Sequence, residues 1–143
     1  MYPAHIDDKG RLKLPAAFRD YFGRLQNHTL FATTLDNRVA HIYPGDEWTH
    51  LEQKLDSANS AAADDILFLA YHLGGDVTVD AQSRILIPPE LRRSLKIENQ
   101  AVKLMFLRGV LHVYSETEYD QRLLQAKDNQ AEKVANLRQE GLK

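Results

Sequence analysis

Asp7-Asp8-Lys9-Gly10-Arg11-Leu12-Lys13-Leu14-Pro15-Ala16-Ala17-Phe18-Arg19 returns later in the chain as Asp80-Ala81-Gln82-Ser83-Arg84-Ile85-Leu86-Ile87-Pro88-Pro89-Glu90-Leu91-Arg92. The two stretches align without a gap, and aspartate, arginine, proline and arginine recur in register. Further on, His41-Ile42-Tyr43 with Glu47-Trp48 returns as His112-Val113-Tyr114 with Glu118-Tyr119, after a two-residue shift in the loop. Self-similarity on that scale marks a duplicated structural unit, so the fold has to be built from two copies.

Each copy reads as a short strand, a tight turn, a second strand and a helix opened by proline. Pro15 and Pro88 are expected in the first helical turn, where a missing N–H costs nothing. Two β-rich runs follow in each copy, Thr29 to Thr34 with Val39 to Tyr43, and Val102 to Leu107 with Val110 to Tyr114. Asp36-Asn37 and Arg108-Gly109 supply their turns. Each copy closes on a helix, starting near Asp46-Glu47-Trp48 or Glu116-Thr117-Glu118, acidic in its first turn as the helix dipole prefers. Trp48 and Tyr119 are the expected core anchors there. Ala61 to Leu73 predicts a linker helix that stops at Gly74-Gly75. The tail from Glu116 to about Glu140 predicts one long, charged helix with a thin apolar stripe of Tyr119, Leu123, Ala131 and Val134.

The fold class is therefore α+β, mainly β, with a first repeat over 1–47, linker helices over 48–75, a second repeat over 76–119 and a C-terminal helix over 120–143. Four short strands and a one-turn helix cannot bury both faces of their sheet within about 45 residues. The two units are expected to interleave into one small pseudo-symmetric β-barrel with flanking helices, leaving surfaces free for subunit association.

Hydrophobic residues at 43% and charged residues at 27% describe a folded globular chain without low-complexity tracts. No cysteine is present among the 143 residues, which excludes disulfides and thiolate metal sites and fits a reducing compartment. Met1 to Lys9 holds no apolar run, so no secretory signal is expected, and no stretch is long and apolar enough for a bilayer. The cytoplasm is the expected address. A net charge of −2 hides a partition: Lys9 to Arg24 carries five basic residues against one acid, and Arg84 to Lys96 four against one. A solvated helix face would also explain such clusters.

The paired Asp-x-x-x-Arg motifs, each followed by an apolar strand and proline, resemble the MraZ family of the AbrB-like swapped-hairpin superfamily. The resemblance extends over DDKGRLKLPAAFR, IYPGDEWTHLEQKL and VDAQSRILIPPELR, in family order, and covers nearly the whole chain. It implies a double swapped-hairpin fold and a transcriptional regulator associated with the division and cell-wall gene cluster. It also implies ring-like homo-oligomers that bind short direct repeats in double-stranded promoter DNA, a nucleoid-associated location, and Arg11 and Arg84 as the principal DNA contacts. The chain departs from the family at Ser83, where glycine is usual, and in its short lead-in before Asp7. Serine does not take a positive φ cheaply, so the second turn is expected to change geometry or carry strain.

The motif suits DNA for a physical reason. Aspartate and arginine flank a three-residue turn, so Asp7 and Asp80 can orient Arg11 and Arg84 and lower the cost of ordering each guanidinium at a guanine edge or phosphate. Lys9 and Lys13 would add attraction to phosphate; Gln82 and Leu86 replace them in the second unit, so the first should hold the backbone more strongly. Taken alone, each pair is a surface ion pair worth about 0–1 kcal/mol. Arg19 and Arg92 join the candidate DNA contacts, with Arg93 beside them, although a solvated helix face explains those three as well. His5, His28, His41, His50, His72 and His112 show no metal-ligand spacing, and His41 and His112 are expected to pack. No nucleophile motif, phosphate-cradling loop or paired carboxylates point to an enzyme, a cofactor or a small-molecule substrate. The alternative of another class is an antitoxin-like protein-interaction module, which usually pairs one such unit with a disordered tail. RNA binding is weaker, since aromatic residues do not interleave with the basic positions.

Overall fold

In a computed structural model describing residues 1–143, the chain forms β1 (Tyr2–His5), β2 (Arg11–Lys13), α1 (Ala16–Gly23), β3 (Leu30–Thr34), β4 (Ala40–Pro44), α2 (Gly45–Ser57) and α3 (Ala61–Leu73). The same order then runs again as β5 (Gly75–Val77), β6 (Arg84–Leu86), α4 (Pro89–Leu95), β7 (Ala101–Leu107), β8 (Val110–Ser115), α5 (Glu116–Lys127) and α6 (Gln130–Gln139). The architecture is mixed α/β around a mainly antiparallel sheet. Six strands lie in the order β1-β7-β8-β4-β3-β5, and β2 pairs with β6 in a separate two-stranded ribbon. Pairing crosses between the halves: β1 lies on β7, β5 on β3, β4 on β8 and β2 on β6.

The expected closed barrel does not form. β1 and β5 remain as the two edges of an open sheet. The chain leaves those edges through turns with positive φ at Gly10 (84°) and Ser83 (62°), which redirect β2 and β6 onto each other rather than onto the ladder. The ribbon then acts as a lid. Leu12 and Ile85, opposite each other, and Leu14 and Ile87 just beyond the strands, are buried against Phe18, Leu91, Ile42, Leu104 and Leu111. Side chains alternate across a strand, so the ribbon's other face carries Arg11, Lys13, Arg84 and Leu86.

Two further differences have local causes. Pro15 and Pro88 occupy the cap positions just before α1 and α4 in extended backbone; at Pro88 the cause is Pro89 in the first helical position, because the residue before a proline is pushed out of the α region. The tail is two helices instead of one. Asn129, in left-handed backbone at φ 55°, breaks it between α5 and α6. Asn59 breaks the chain between α2 and α3 in the same way, at φ 47°. α2 and α3 cover the sheet's second face: Trp48 stacks on Phe31 at 4.4 Å between ring centres, and Thr33 Oγ1 donates to the Ala70 carbonyl at 2.7 Å. Trp48 is thus a core anchor. Tyr119 is only half-buried, beneath the Lys103 ammonium at 4.7 Å, and neither α5 nor α6 buries a residue.

Candidate nucleic-acid interface

The two Asp-x-x-x-Arg turns are built alike. Asp7 Oδ1 accepts the backbone N–H groups of Lys9 (3.0 Å) and Arg11 (2.8 Å), and its Oδ2 accepts Arg11 Nε at 2.7 Å. Asp80 Oδ1 accepts from Gln82 and Arg84, both at 2.9 Å, and its Oδ2 accepts Arg84 Nε at 2.9 Å. One carboxylate therefore closes the turn with one oxygen and fixes the arginine with the other. The backbone N–H of Arg11, followed by its guanidinium and the Lys9 N–H, holds the Asp7 carboxyl down at about 2. Asp80 is likewise held below the ordinary carboxylate range, chiefly by the Arg84 N–H. Both carboxylates stay charged at neutral pH and hold their arginines by Nε alone. The outer Nη groups of Arg11 and Arg84 make no hydrogen bond within the protein, and they are the ends that can form a bidentate contact.

Ser83 resolves the expectation for the second turn. Its geometry is unchanged: Ser83 N–H donates to the Asp80 carbonyl at 3.0 Å, as Gly10 N–H does to Asp7 at 2.9 Å, and both residues take positive φ. The serine accepts the backbone cost.

The ribbon brings the two turns' arginines onto one face. Arg11 lies opposite Leu86 and Lys13 opposite Arg84, so Arg11 and Arg84 are diagonal neighbours, roughly 7–8 Å apart by ordinary strand geometry. Arg11 and Arg84 are partly exposed, and Lys13 is exposed without an ion-pair partner. Lys9 sits exposed in the first turn. Leu86 is 53% exposed among these cations, a position that sequence alone had marked only as a missing lysine. A two-stranded β-ribbon can enter the major groove of B-form DNA.

The helix arginines are placed differently. Arg19 is exposed, and its Nη1 donates to Ser83 Oγ at 3.0 Å. Arg92 has a side chain only 14% exposed; its Nη1 donates to the Ile87 carbonyl, its Nε lies 3.6 Å from Glu98, and its guanidinium covers Gly10. Arg93 is exposed and paired with Glu90. Among the histidines, His41 and His112 face each other across β4 and β8 with ring centres 4.6 Å apart. No group of three or more histidine, aspartate or glutamate side chains is gathered as a metal would need, and no helix is long and apolar enough to cross a membrane.

The family model described as "MraZ protein, putative antitoxin-like" matches residues 2–70 and 75–140. A protein of Koribacter versatilis named transcriptional regulator MraZ is 34% identical over 125 residues, covering 82% of this chain and 85% of that one. Its namesake in Acidobacterium capsulatum is 34% identical over 136 residues, 91% and 92% of the two chains. Another, from Pelotomaculum thermopropionicum, is 40% identical over 99 residues, 68% and 66% of the two.

Proposed function

The chain belongs to the MraZ family, and from that membership we propose that it is a cytoplasmic, nucleoid-associated, DNA-binding transcriptional regulator rather than an enzyme. It acts on short direct repeats in promoter DNA as a ring-like homo-oligomer. The observation that carries this is the ribbon face, on which carboxylate-held Arg11 and Arg84 present free Nη groups beside Lys13. Arg11 and Arg84 read guanine edges in the major groove, Asp7 and Asp80 orient them, and Lys9 and Lys13 hold phosphate. One ribbon offers few contacts, so affinity rests on several copies engaging repeats at fixed spacing. Self-association draws support from the unburied α5 and α6, which leave Leu123, Leu124 and Leu137 exposed.

The antitoxin-like alternative calls for one unit and a disordered partner-binding tail, whereas here both units are complete and the tail is helical. Fluorescence anisotropy with DNA from upstream of the protein's own gene and with a scrambled duplex tests the proposal. A preference of about a thousandfold or more is expected. Equal, weak binding to both duplexes, together with a stoichiometric protein partner in pull-downs, would overturn it.

A further inference from the structure

Gly10 and Ser83 are equivalent positions of the two turns, and Arg19 and Arg92 are equivalent positions of α1 and α4. The contacts among these four residues are exchanged between units. Arg19 of the first unit donates to Ser83 in the second unit's turn, and Arg92 of the second unit lies over Gly10 in the first unit's turn. The backbone repeats the exchange, since Leu14 N–H donates to the Ser83 carbonyl at 2.9 Å and Ile87 N–H to the Gly10 carbonyl at 3.0 Å. The second turn is thus tied to the other unit by a main-chain bond and an arginine hydrogen bond, and the first by a main-chain bond with Arg92, anchored on the Ile87 carbonyl of its own unit, packed over it.

We propose that Arg19 and Arg92 are positioning residues which cross-lock the two turns and so fix the separation and aim of Arg11 and Arg84 before DNA arrives. This rests on the DNA-binding function proposed above. The two locks differ in chemistry. Gly10 is buried under the guanidinium of Arg92, and a Cβ at that position would overlap it, so the first lock needs glycine and is nearly closed to water. In the second, the serine hydroxyl supplies the acceptor that glycine lacks, and Arg19 meets it in the open. The departure to serine therefore has a use: its positive φ is the cost of a side chain that holds the facing arginine. The first turn is the rigid reader and the second the adjustable one.

A phosphate contact and a positioning role separate cleanly in a salt titration. Removing a phosphate contact lowers the slope of log affinity against log salt by about 0.9 and weakens all duplexes alike. Loss of positioning leaves the slope and reduces the preference for the correct site. The experiment compares the wild type with Arg19→Ala, Ser83→Ala and the double variant on promoter and scrambled duplexes over a range of salt. Each single variant is expected to lose about two- to tenfold of the preference, as one hydrogen bond allows. The double variant should be no worse than either single one. A lower slope for Arg19→Ala with additive losses, or an unchanged preference, would overturn the proposal.

Amide hydrogen exchange without DNA tests the lock independently of function. Arg19→Ala should speed exchange in Asp80 to Arg84, and Arg92→Lys, which keeps charge but not the flat fork, should speed it in Asp7 to Arg11. Unchanged protection in both turns contradicts the lock whatever DNA does. Faster exchange with a wild type that does not prefer promoter DNA keeps the lock and removes the DNA-binding function.

Discussion

Lys13 stands directly opposite Arg84 on a strand of three residues, with no carboxylate to neutralise it. Like charges in that cross-strand position destabilise a sheet by a few tenths to about 1 kcal/mol, but Asp80 holds Arg84 at 2.9 Å and offsets its charge, so Lys13 alone is left to await an anion. Lys13→Thr should accordingly leave the midpoint of thermal unfolding nearly unchanged while weakening DNA binding and lowering its salt slope by about one contact. A folded variant with DNA binding unchanged would remove Lys13 from the interface. His41 gives a second test at this scale. Burial, followed by repulsion from His112, pushes its pKa down from 6.5 to about 4, and its Nδ1 has no hydrogen-bond partner. Because the folded pKa lies below the unfolded one, this contribution to stability is complete above pH 6.5 and is lost as the pH falls toward 4, by roughly 3 kcal/mol at most. The Asp7 carboxyl acts in a lower window, between 3.8 and about 2. His41→Gln should flatten the decline in melting temperature between pH 6.5 and 4.5, whereas an unaltered profile would assign that decline to other groups.

Asn129 and Asn59 decide the helical elements, and the sequence did carry their signal. Asparagine takes left-handed backbone with little penalty, and the two residues occupy matching places in the repeat. The apolar stripe of Tyr119, Leu123, Ala131 and Val134 runs straight through Asn129, so it predicts one tail helix where two form. Asn129→Leu, which favours helix and resists positive φ, should fuse α5 and α6 and raise the far-ultraviolet helical signal; unchanged helicity would locate the break elsewhere. The strands, the Gly74 stop and the hairpin turns are legible because β-rich composition and turn residues are local properties. Whether the ladder closes was not, since the registers of β1 on β7 and β5 on β3 depend on contacts far apart in sequence. At the candidate interface, the Asp-x-x-x-Arg spacing was enough to expect Asp7 orienting Arg11 and Asp80 orienting Arg84. The exchange of Arg19 and Arg92 between units was hidden, because repetition says that two residues are equivalent and not which copy each one touches.

For the whole molecule, duplication gives a pseudo-symmetric ribbon whose two ends are chemically unequal. Lys13 at one end corresponds to Leu86 at the other, and Gly10 to Ser83. Under the proposed function, an unequal ribbon would prefer one orientation on DNA, which suits repeats in the same direction better than inverted ones. The proposed assembly would multiply weak contacts. Replacing the exposed Leu123 and Leu124 of α5 with glutamate should lower the oligomer's mass in light scattering. Binding to a duplex with several repeats should fall much more than binding to a single repeat; an unchanged mass would direct the search for the interface to another surface. Whether the carboxylate-held arginines on the ribbon read promoter DNA is decided by a salt-dependent titration of the wild type beside an Arg11→Ala, Arg84→Ala double variant. Expected is a steep slope of about 0.9 per phosphate contact for the wild type, with promoter preference abolished in a double variant that keeps its melting temperature and oligomer mass. A folded double variant that still prefers the promoter as the wild type does would contradict the account.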